Sequence, residues 1–445
     1  MTTKLVSKTL QTILVIALKA KEDSKCKFTS LAHLLTEDFL KECFRELKRG
    51  KSPGIDGVTV GEYAKALDEN IADLVARLKA KQYTPKPVLR VYIPKPNGEK
   101  RPLGIPAVED KIVQMAIKKI LEAIFEQDFM DTSYGFRPHR SCHDALFELD
   151  RIIMNAPVNF VVDMDISKFF DTVDHKRLMK CLKQRIADPT LLRLISRFLK
   201  SGIMKEGVYY ETDQGTPQGG VLSPVLANVY LHYALDLWFE TKVLPQLTGF
   251  ARLVRYADDF VVCFENEEEA RGFGDALRLR MGEFGLTISE EKSKIIEFGR
   301  CACMRTKQYG RKCETFDFLG FTHFCDKSRW GNFKLGRKTS RKKFRQKMAD
   351  MNIWLKRIRN LAELEVWWEL LGQKLIGHYR YYGMSGNFRM LKNFYHQVVR
   401  LAFKWINRRS QRKSYNWAQF LRFILFNPLP KPKIYHSLYN YNLNP

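Results

Sequence analysis

Two adjacent carboxylates, Asp258 and Asp259, stand in Tyr256-Ala-Asp-Asp259 between two runs, Leu253-Val254-Arg255 before them and Phe260 to Phe264 after. The pattern reads as strand, tight turn, strand, with the acids at the tip. Such a tip can hold negative charge against a divalent cation, but an acidic turn is also ordinary solvated surface. A second acidic pair decides more. Asp163 and Asp165 end an apolar stretch, Val158 to Ile166, that reads as a strand, and alternation puts both on one face. If the two strands are neighbours in a sheet, one of these acids stands beside Asp258 and Asp259. Gathered carboxylates repel each other and need a cation. Magnesium suits them because it takes few protein carboxylates and keeps sites for substrate phosphate. Two such ions would activate a 3′-hydroxyl and stabilise a pyrophosphate leaving group. The alternative is that Asp163 and Asp165 are a helix cap and a solvated side chain.

The elements that must position these acids are mixed. Residues 1–50 read as helical, 51–57 as a glycine-rich turn and 61–80 as helix. Strands are expected at 88–93 and 101–105 around a turn at 94–98, and a long amphipathic helix at 107–127. Residues 174–200 read as helix and 208–212 as a short strand. A Gly/Pro-rich loop at 214–220 opens a helix at about 223–239. After the acidic hairpin come a helix at 267–284 and short strands near 286–298 and 316–324. From about residue 335 to 425 the pattern is helical and basic. Strands mixed with helices, then a helical end, predict an α+β body with a helical appendage.

Composition bounds the function. The chain has 445 residues and 45% hydrophobic residues, enough for more than one cored domain and too apolar for a disordered chain. Net charge is +26. Residues 326–445 hold 26 Lys and Arg against 5 Asp and Glu, a net +21. That lopsided basic end points to a polyanion, or to a solvated basic face. Its interleaved aromatics, Trp367, Trp368 and Tyr379 to Tyr382 among them, read as helix packing before base stacking. Nine scattered cysteines fit a reducing compartment. Cys301, Cys303, Cys313 and Cys325 cluster near His323, a weak match to zinc spacing. Residues 10–18 are apolar but interrupted, and read as a helix packed on the body rather than a signal segment. No stretch is long enough to span a membrane.

Three segments, Phe160-Val-Val-Asp-Met-Asp-Ile-Ser-Lys-Phe-Phe-Asp-Thr-Val-Asp-His175, Gly215-Thr-Pro-Gln-Gly-Gly-Val-Leu-Ser-Pro224 and Arg255-Tyr-Ala-Asp-Asp259, resemble in order and spacing the core motifs of reverse transcriptases. Further matches resemble the group II intron-encoded, or maturase, type. These are Gly54-Ile-Asp-Gly57, Ile93-Pro-Lys-Pro-Asn-Gly98, Tyr134-Gly-Phe-Arg-Pro138, Phe316-Asp-Phe-Leu-Gly-Phe321 and Gly377-His-Tyr-Arg-Tyr-Tyr-Gly383.

The resemblance implies a right-hand polymerase with an antiparallel palm sheet and an all-helical thumb. It places an N-terminal extension at 1–50, fingers at 51–160, palm at 161–325, thumb or maturase domain at 326–425 and a tail at 426–445. It implies that Asp165, rather than Asp163, and Asp258 are the metal ligands, with the Ile166 carbonyl, and that Asp259 is catalytic as acidic support or as a further ligand. Two magnesium ions are implied, with manganese able to substitute. Phe170 matches the residue that stacks on the incoming sugar and rejects a 2′-hydroxyl. Lys95 and Arg101 match positions that hold the triphosphate. Gln218 and Gly219 match contacts to the incoming nucleotide, and Lys292 matches an acid that protonates pyrophosphate. Phe318, Leu319, Gly320 and Phe321 match the hairpin that grips the primer end. Arg337, Lys338, Arg341, Lys342, Lys343 and Arg380 are the candidate thumb contacts to nucleic acid.

The implied activity is RNA-templated DNA synthesis from dNTPs on a DNA primer, with binding of a parent group II intron RNA to aid splicing and of target DNA for retrohoming. No Cys/His-rich nuclease segment is seen after the thumb region, so cleavage of the target in cis is not expected. The expected place of action is the bacterial cytoplasm, at the nucleoid. Two alternatives stand: a domesticated enzyme of DNA repair, phage defence or CRISPR spacer acquisition, and a binding-only maturase, which intact Asp165, Asp258, Asp259 and Gln218 disfavour.

Overall fold

The computed structural model describes residues 8–94, 100–205, 207–211, 214–216, 219–308, 310, 312–409 and 414–438. The chain divides into two compact units, one of residues 1–145 and 162–295, the other of 146–161 and 296–445. Among the described residues no helix is long and apolar enough to cross a membrane.

The strands are β1 (Val88–Pro94), β2 (Lys100–Ile105), β3 (Phe160–Asp165), β4 (Ile203–Lys205), β5 (Val208–Tyr210), β6 (Ala251–Tyr256), β7 (Asp259–Phe264), β8 (Lys294–Glu297), β9 (Thr315–Phe318), β10 (Phe321–Lys327) and β11 (Phe333–Thr339). They form sheets ordered β2-β1-β4-β5, β6-β7-β3-β8 and β11-β10-β9. β1 and β2 are antiparallel, Leu89 opposite Ile105 and Pro94 opposite Lys100, as the strand–turn–strand reading of 88–105 predicts.

Apolar helices build the core of the first unit, and helix Glu267–Glu283 packs on β7 of the site-bearing sheet. Helix Val108–Phe125 buries Ile112, Val113, Ile117, Ile120, Leu121 and Ile124 at helical spacing. Helix Ser223–Leu231 buries residues on every side, which marks an interior helix. The N-terminal helix Lys8–Glu22 packs on helix Val108–Phe125 and buries Ile13, Ile16 and Ala20, as expected of a helix on the body.

Four expectations differ from the structure. Residues 1–50 contain two helices, Lys8–Glu22 and Glu37–Arg45, the second capped by the Thr36 side chain. The stretch 174–200 is also two helices, His175–Leu182 and Pro189–Leu199. The break is chemical: the Asp188 carboxylate accepts from Thr190 N and Leu191 N at the new helix start, with Pro189 in its first turn. The helix expected at 223–239 is α-helical only to Leu231 and then takes π-turns at His232–Asp236 and Phe239–Val243. The basic end is not helical from 335: Phe333–Thr339 is a strand paired with β10, and the helix starts at Arg341, capped by Ser340. Lys334, Arg337 and Lys338 hid the alternation that buries Leu335, Arg337 and Thr339. The second unit is therefore not all-helical. Beyond residue 340 its helices are Arg341–Ile358, Leu364–Tyr382, Phe388–Ile406 and Trp417–Phe426.

Candidate active site

The acidic hairpin forms as its pattern predicts. β6 and β7 pair with Tyr256 opposite Asp259, so Ala257 and Asp258 are the turn. Ala257 has φ +57°, a left-handed conformation that costs an alanine roughly 1–2 kcal/mol. Asp258 is half-buried and Asp259 exposed, while Phe260 to Phe264 are wholly buried. The apolar strand thus anchors a polar tip.

β7 lies beside β3 in the sheet. On β3, Val161, Val162 and Met164 are buried while Asp163 and Asp165 are half-exposed on the shared face. The backbone of Asp165 is gripped by the segment before β8: Ser289 N donates to Asp165 O at 2.8 Å, and Asp165 N donates to Ser293 Oγ at 3.3 Å. That grip brings in Lys292, whose ammonium lies 2.8 Å from Asp165 Oδ2. The pair is open to solvent, with Lys292 66% and Asp165 45% exposed. Ile166 is buried and bridges Ile288.

Phe170 is half-buried in the short helix Phe169–Thr172, its ring 5.3 Å from that of Phe169. The glycine loop docks on the same segment. Thr216 N donates to Phe170 O at 2.7 Å and Gly215 N to Val173 O at 2.8 Å. Gly215 has φ +85°, and a Cβ there would lie 2.9 Å from the carbonyl oxygens of Phe170 and Asp171. Only glycine permits that approach. Gly219, at φ +105°, is packed as closely against β2, where a Cβ would meet Gly104 O at 2.7 Å. Lys95 and Gln218 lie outside the described residues, and only the backbone of Arg101, in β2 opposite Ile93, is described.

In the second unit, Phe318 pairs with Phe321 around a turn at Leu319 (φ +49°) and Gly320 (φ +81°). Tyr381 Oη donates to Leu319 O at 3.0 Å, and its ring stacks on Phe321 at 6.3 Å. Lys338, Arg341, Lys342, Lys343 and Arg380 are exposed. Arg337 is not: it is 1% exposed and paired with Asp150 at 2.8 Å, so it presents no charge to a phosphate. Trp367, Trp368, Tyr379 and Tyr382 are buried, as helix-packing aromatics are.

Among the described residues, no group of three or more His, Cys, Asp or Glu side chains is arranged to hold a metal ion. At the cysteine cluster, burial pushes the Cys325 thiol up to about 12, with Cys313 and Cys303 near enough to act on it, and His323 is wholly buried against Phe316. For the acids, the donor set is hard carboxylate oxygen, and a cationic side chain already sits on Asp165. That chemistry fits a hard divalent ion.

Sequence reading passed over the groups that hold the acidic turn. Arg255, between Val254 and Tyr256, has no solvent exposure and pairs with Asp236, also unexposed. A charge inside an apolar strand was the available signal, since such a charge needs a buried partner.

Residues 93–323 match the reverse transcriptase (RNA-dependent DNA polymerase) family. The chain is 31% identical to protein YkfC of Escherichia coli over 389 residues, 78% of this chain and 97% of that protein. It is 33% identical to group II intron-encoded protein LtrA of Lactococcus lactis over 299 residues, 64% of this chain and 50% of LtrA. It is 36% identical to the putative COX1/OXI3 intron 1 protein of Saccharomyces cerevisiae over 257 residues, 47% of this chain and 31% of that protein. The chain thus spans nearly all of the first relative, half of the second and less than a third of the other. With more than half of its length matched, the chain belongs to the reverse transcriptase family, and within it is similar to group II intron-encoded proteins.

Proposed function

We propose that this chain polymerises DNA on an RNA template at Asp165, Asp258 and Asp259, and that it binds group II intron RNA to assist splicing and retrohoming. The observation that carries the reading is the sheet order: the strand ending in Asp165 neighbours the strand that Asp258 and Asp259 open, inside the matched segment. Fingers at 51–160, palm at 161–325 and thumb at 326–425, between an N-terminal extension and a short tail, are the working anatomy.

Asp165 and Asp258, with the Ile166 carbonyl, would hold paired magnesium ions, or manganese in their place, and Asp259 adds negative charge beside them. When bound, such ions ionise the primer 3′-hydroxyl and offset charge on the departing pyrophosphate. The remaining work falls to the chain. Lys95 and Arg101 hold the triphosphate, Gln218 and Gly219 the nucleotide. Phe170 lies under the sugar and excludes a 2′-hydroxyl. Lys292, beside Asp165, would give a proton to the leaving pyrophosphate. Phe318 to Phe321 hold the primer end. Lys338, Arg341, Lys342, Lys343 and Arg380 follow the phosphates of the duplex or the intron; Arg337 has no part in this. A surface that tracks phosphates binds less tightly as salt rises.

Two measurements test the proposal. Purified protein with an RNA template, DNA primer, dNTPs and magnesium should extend the primer; no extension would reject the polymerase. RNA that co-purifies with the protein should be dominated, on sequencing, by one group II intron. A protein that extends primers but carries no such RNA would be a domesticated polymerase instead.

A further inference from the structure

The turn that presents Asp258 is built from a conformation that alanine resists, so something must hold it. Ala257 is buried with φ +57°. Its carbonyl oxygen accepts from Arg255 Nη1 at 2.9 Å, so the side chain two residues back closes over its own turn. All three guanidinium nitrogens of Arg255 are themselves hydrogen-bonded. Nε donates to Asp236 Oδ1 at 2.7 Å, Nη2 to Asp236 Oδ2 at 2.5 Å, and Nη1 also to Asn228 Oδ1 at 3.2 Å. Asn228 Nδ2 donates in turn to Gly135 O at 2.7 Å. Gly135 lies under the turn, where a Cβ would stand 2.3 Å from Ala257 N. On the backbone, Arg255 N donates to Thr132 O and Tyr134 N donates to Arg255 O, both at 2.8 Å.

Asp236 sits at the end of the π-turn His232–Asp236. Extra residues of this kind re-aim side chains out of a regular helix, and they recur at functional sites. Here the re-aimed side chain meets the guanidinium as a fork on a fork, the geometry that fixes orientation as well as charge. A fully buried ion pair gains little stability over an apolar pair of the same volume. Its presence beside the acidic tip therefore calls for another reason, and the contact with Ala257 O supplies one.

We propose that Arg255, oriented by Asp236 and Asn228, is the positioning residue that holds the strained Ala257–Asp258 turn, and so sets where the Asp258 carboxylate meets metal and primer. It touches no substrate and acts through the turn. The inference rests on the reading of Asp258 as a metal ligand, and the test separates the two.

The experiment uses the full chain with RNA template, DNA primer and dNTPs, and titrates magnesium. Arg255→Met together with Asp236→Leu replaces the ion pair by an apolar pair, which keeps the core filled and uncharged. This double variant should melt near the wild-type temperature and bind template–primer as wild type. Its extension rate should nonetheless fall at least about tenfold, with the magnesium midpoint shifted several-fold upward. Arg255→Lys keeps the charge but loses the fork, and should fall between the two. Wild-type rate and magnesium midpoint in the folded double variant would overturn the proposal. If the double variant fails to fold, Arg255→Lys and Asn228→Ala carry the same midpoint test, and unchanged midpoints in both overturn it. Asp258→Asn runs in parallel: extension that survives it rejects Asp258 as a ligand, whatever Arg255 does.

Discussion

Two hairpins with two-residue turns, one in each unit, solve one problem with different chemistry. Each places a residue with a side chain in left-handed space, Ala257 in the acidic hairpin and Leu319 in the aromatic one. In each, a side chain captures the carbonyl of that residue: Arg255 Nη1 at Ala257 O, and Tyr381 Oη at Leu319 O. The acidic turn is held by a desolvated charge whose partner Asp236 is fully buried. The aromatic turn is held by a half-exposed phenol and by ring contacts, with Tyr382 at 5.4 Å and Tyr381 at 6.3 Å from Phe321. A buried charge pair makes an orientation nearly all-or-none, because a broken pair leaves an uncompensated charge. Aromatic packing gives gradually. On the proposed reading the acidic tip is the one that holds carboxylates against a metal, and it has the stiffer support.

This contrast can be broken at five points. Asp258→Asn preserves the shape of the acidic turn and should lower primer extension by about a thousandfold or more, while template–primer affinity stays as wild type. Comparable loss from Gly320→Ala in the aromatic turn would erase the division of labour, since that change should act on primer affinity first. Arg255→Met alone strands Asp236 and should destabilise its unit by about 3–5 kcal/mol in denaturant unfolding. A cost below about 1 kcal/mol would show that water or another cation reaches Asp236.

Acid should loosen the support of the aromatic hairpin. Burial holds the His378 imidazole down at about 3, against an ordinary 6.5, where it stacks 3.6 Å from Phe394 and 4.8 Å from Tyr382. The folded state keeps this ring neutral while the unfolded state protonates it. The stability it contributes is therefore present above pH 6.5 and lost as pH falls toward 3. His378→Phe should accordingly lose roughly 2 kcal/mol less than wild type between pH 7 and pH 5. Equal losses would mean that water reaches the ring. The smallest effect belongs to Tyr381→Phe, which removes one neutral hydrogen bond and keeps the stack. It should cost about 1 kcal/mol and leave the extension rate at saturating primer unchanged.

Where residue type and period agreed, the fold was legible. The acidic hairpin, the 88–105 hairpin and helix Val108–Phe125 follow from alternation, turn residues and helical spacing. Legibility failed where one signal masked another. Basic residues hid the strand Phe333–Thr339, and Arg337, counted among exposed cations, is committed to Asp150 inside the second unit. The π-turns after Leu231 were unreadable, because an apolar helix gives no local sign of an extra residue. At the site, the acids and glycines were visible in sequence. Their supports were not, because Asp236, on the π-turn, lies nineteen positions from Arg255 on β6 and only the tertiary fold joins them. The ammonium of Lys292 on Asp165 is likewise a product of the fold, 127 positions apart.

The central claim is that carboxylates on neighbouring strands share divalent ions. The direct measurement is a manganese titration followed by electron paramagnetic resonance, with RNA template, a 3′-deoxy-terminated DNA primer and the matching dNTP present. Wild-type protein should take up manganese saturably, and the Asp165→Asn/Asp258→Asn variant should lose that uptake while still binding template–primer. Superimposable manganese curves for the two proteins would contradict the account.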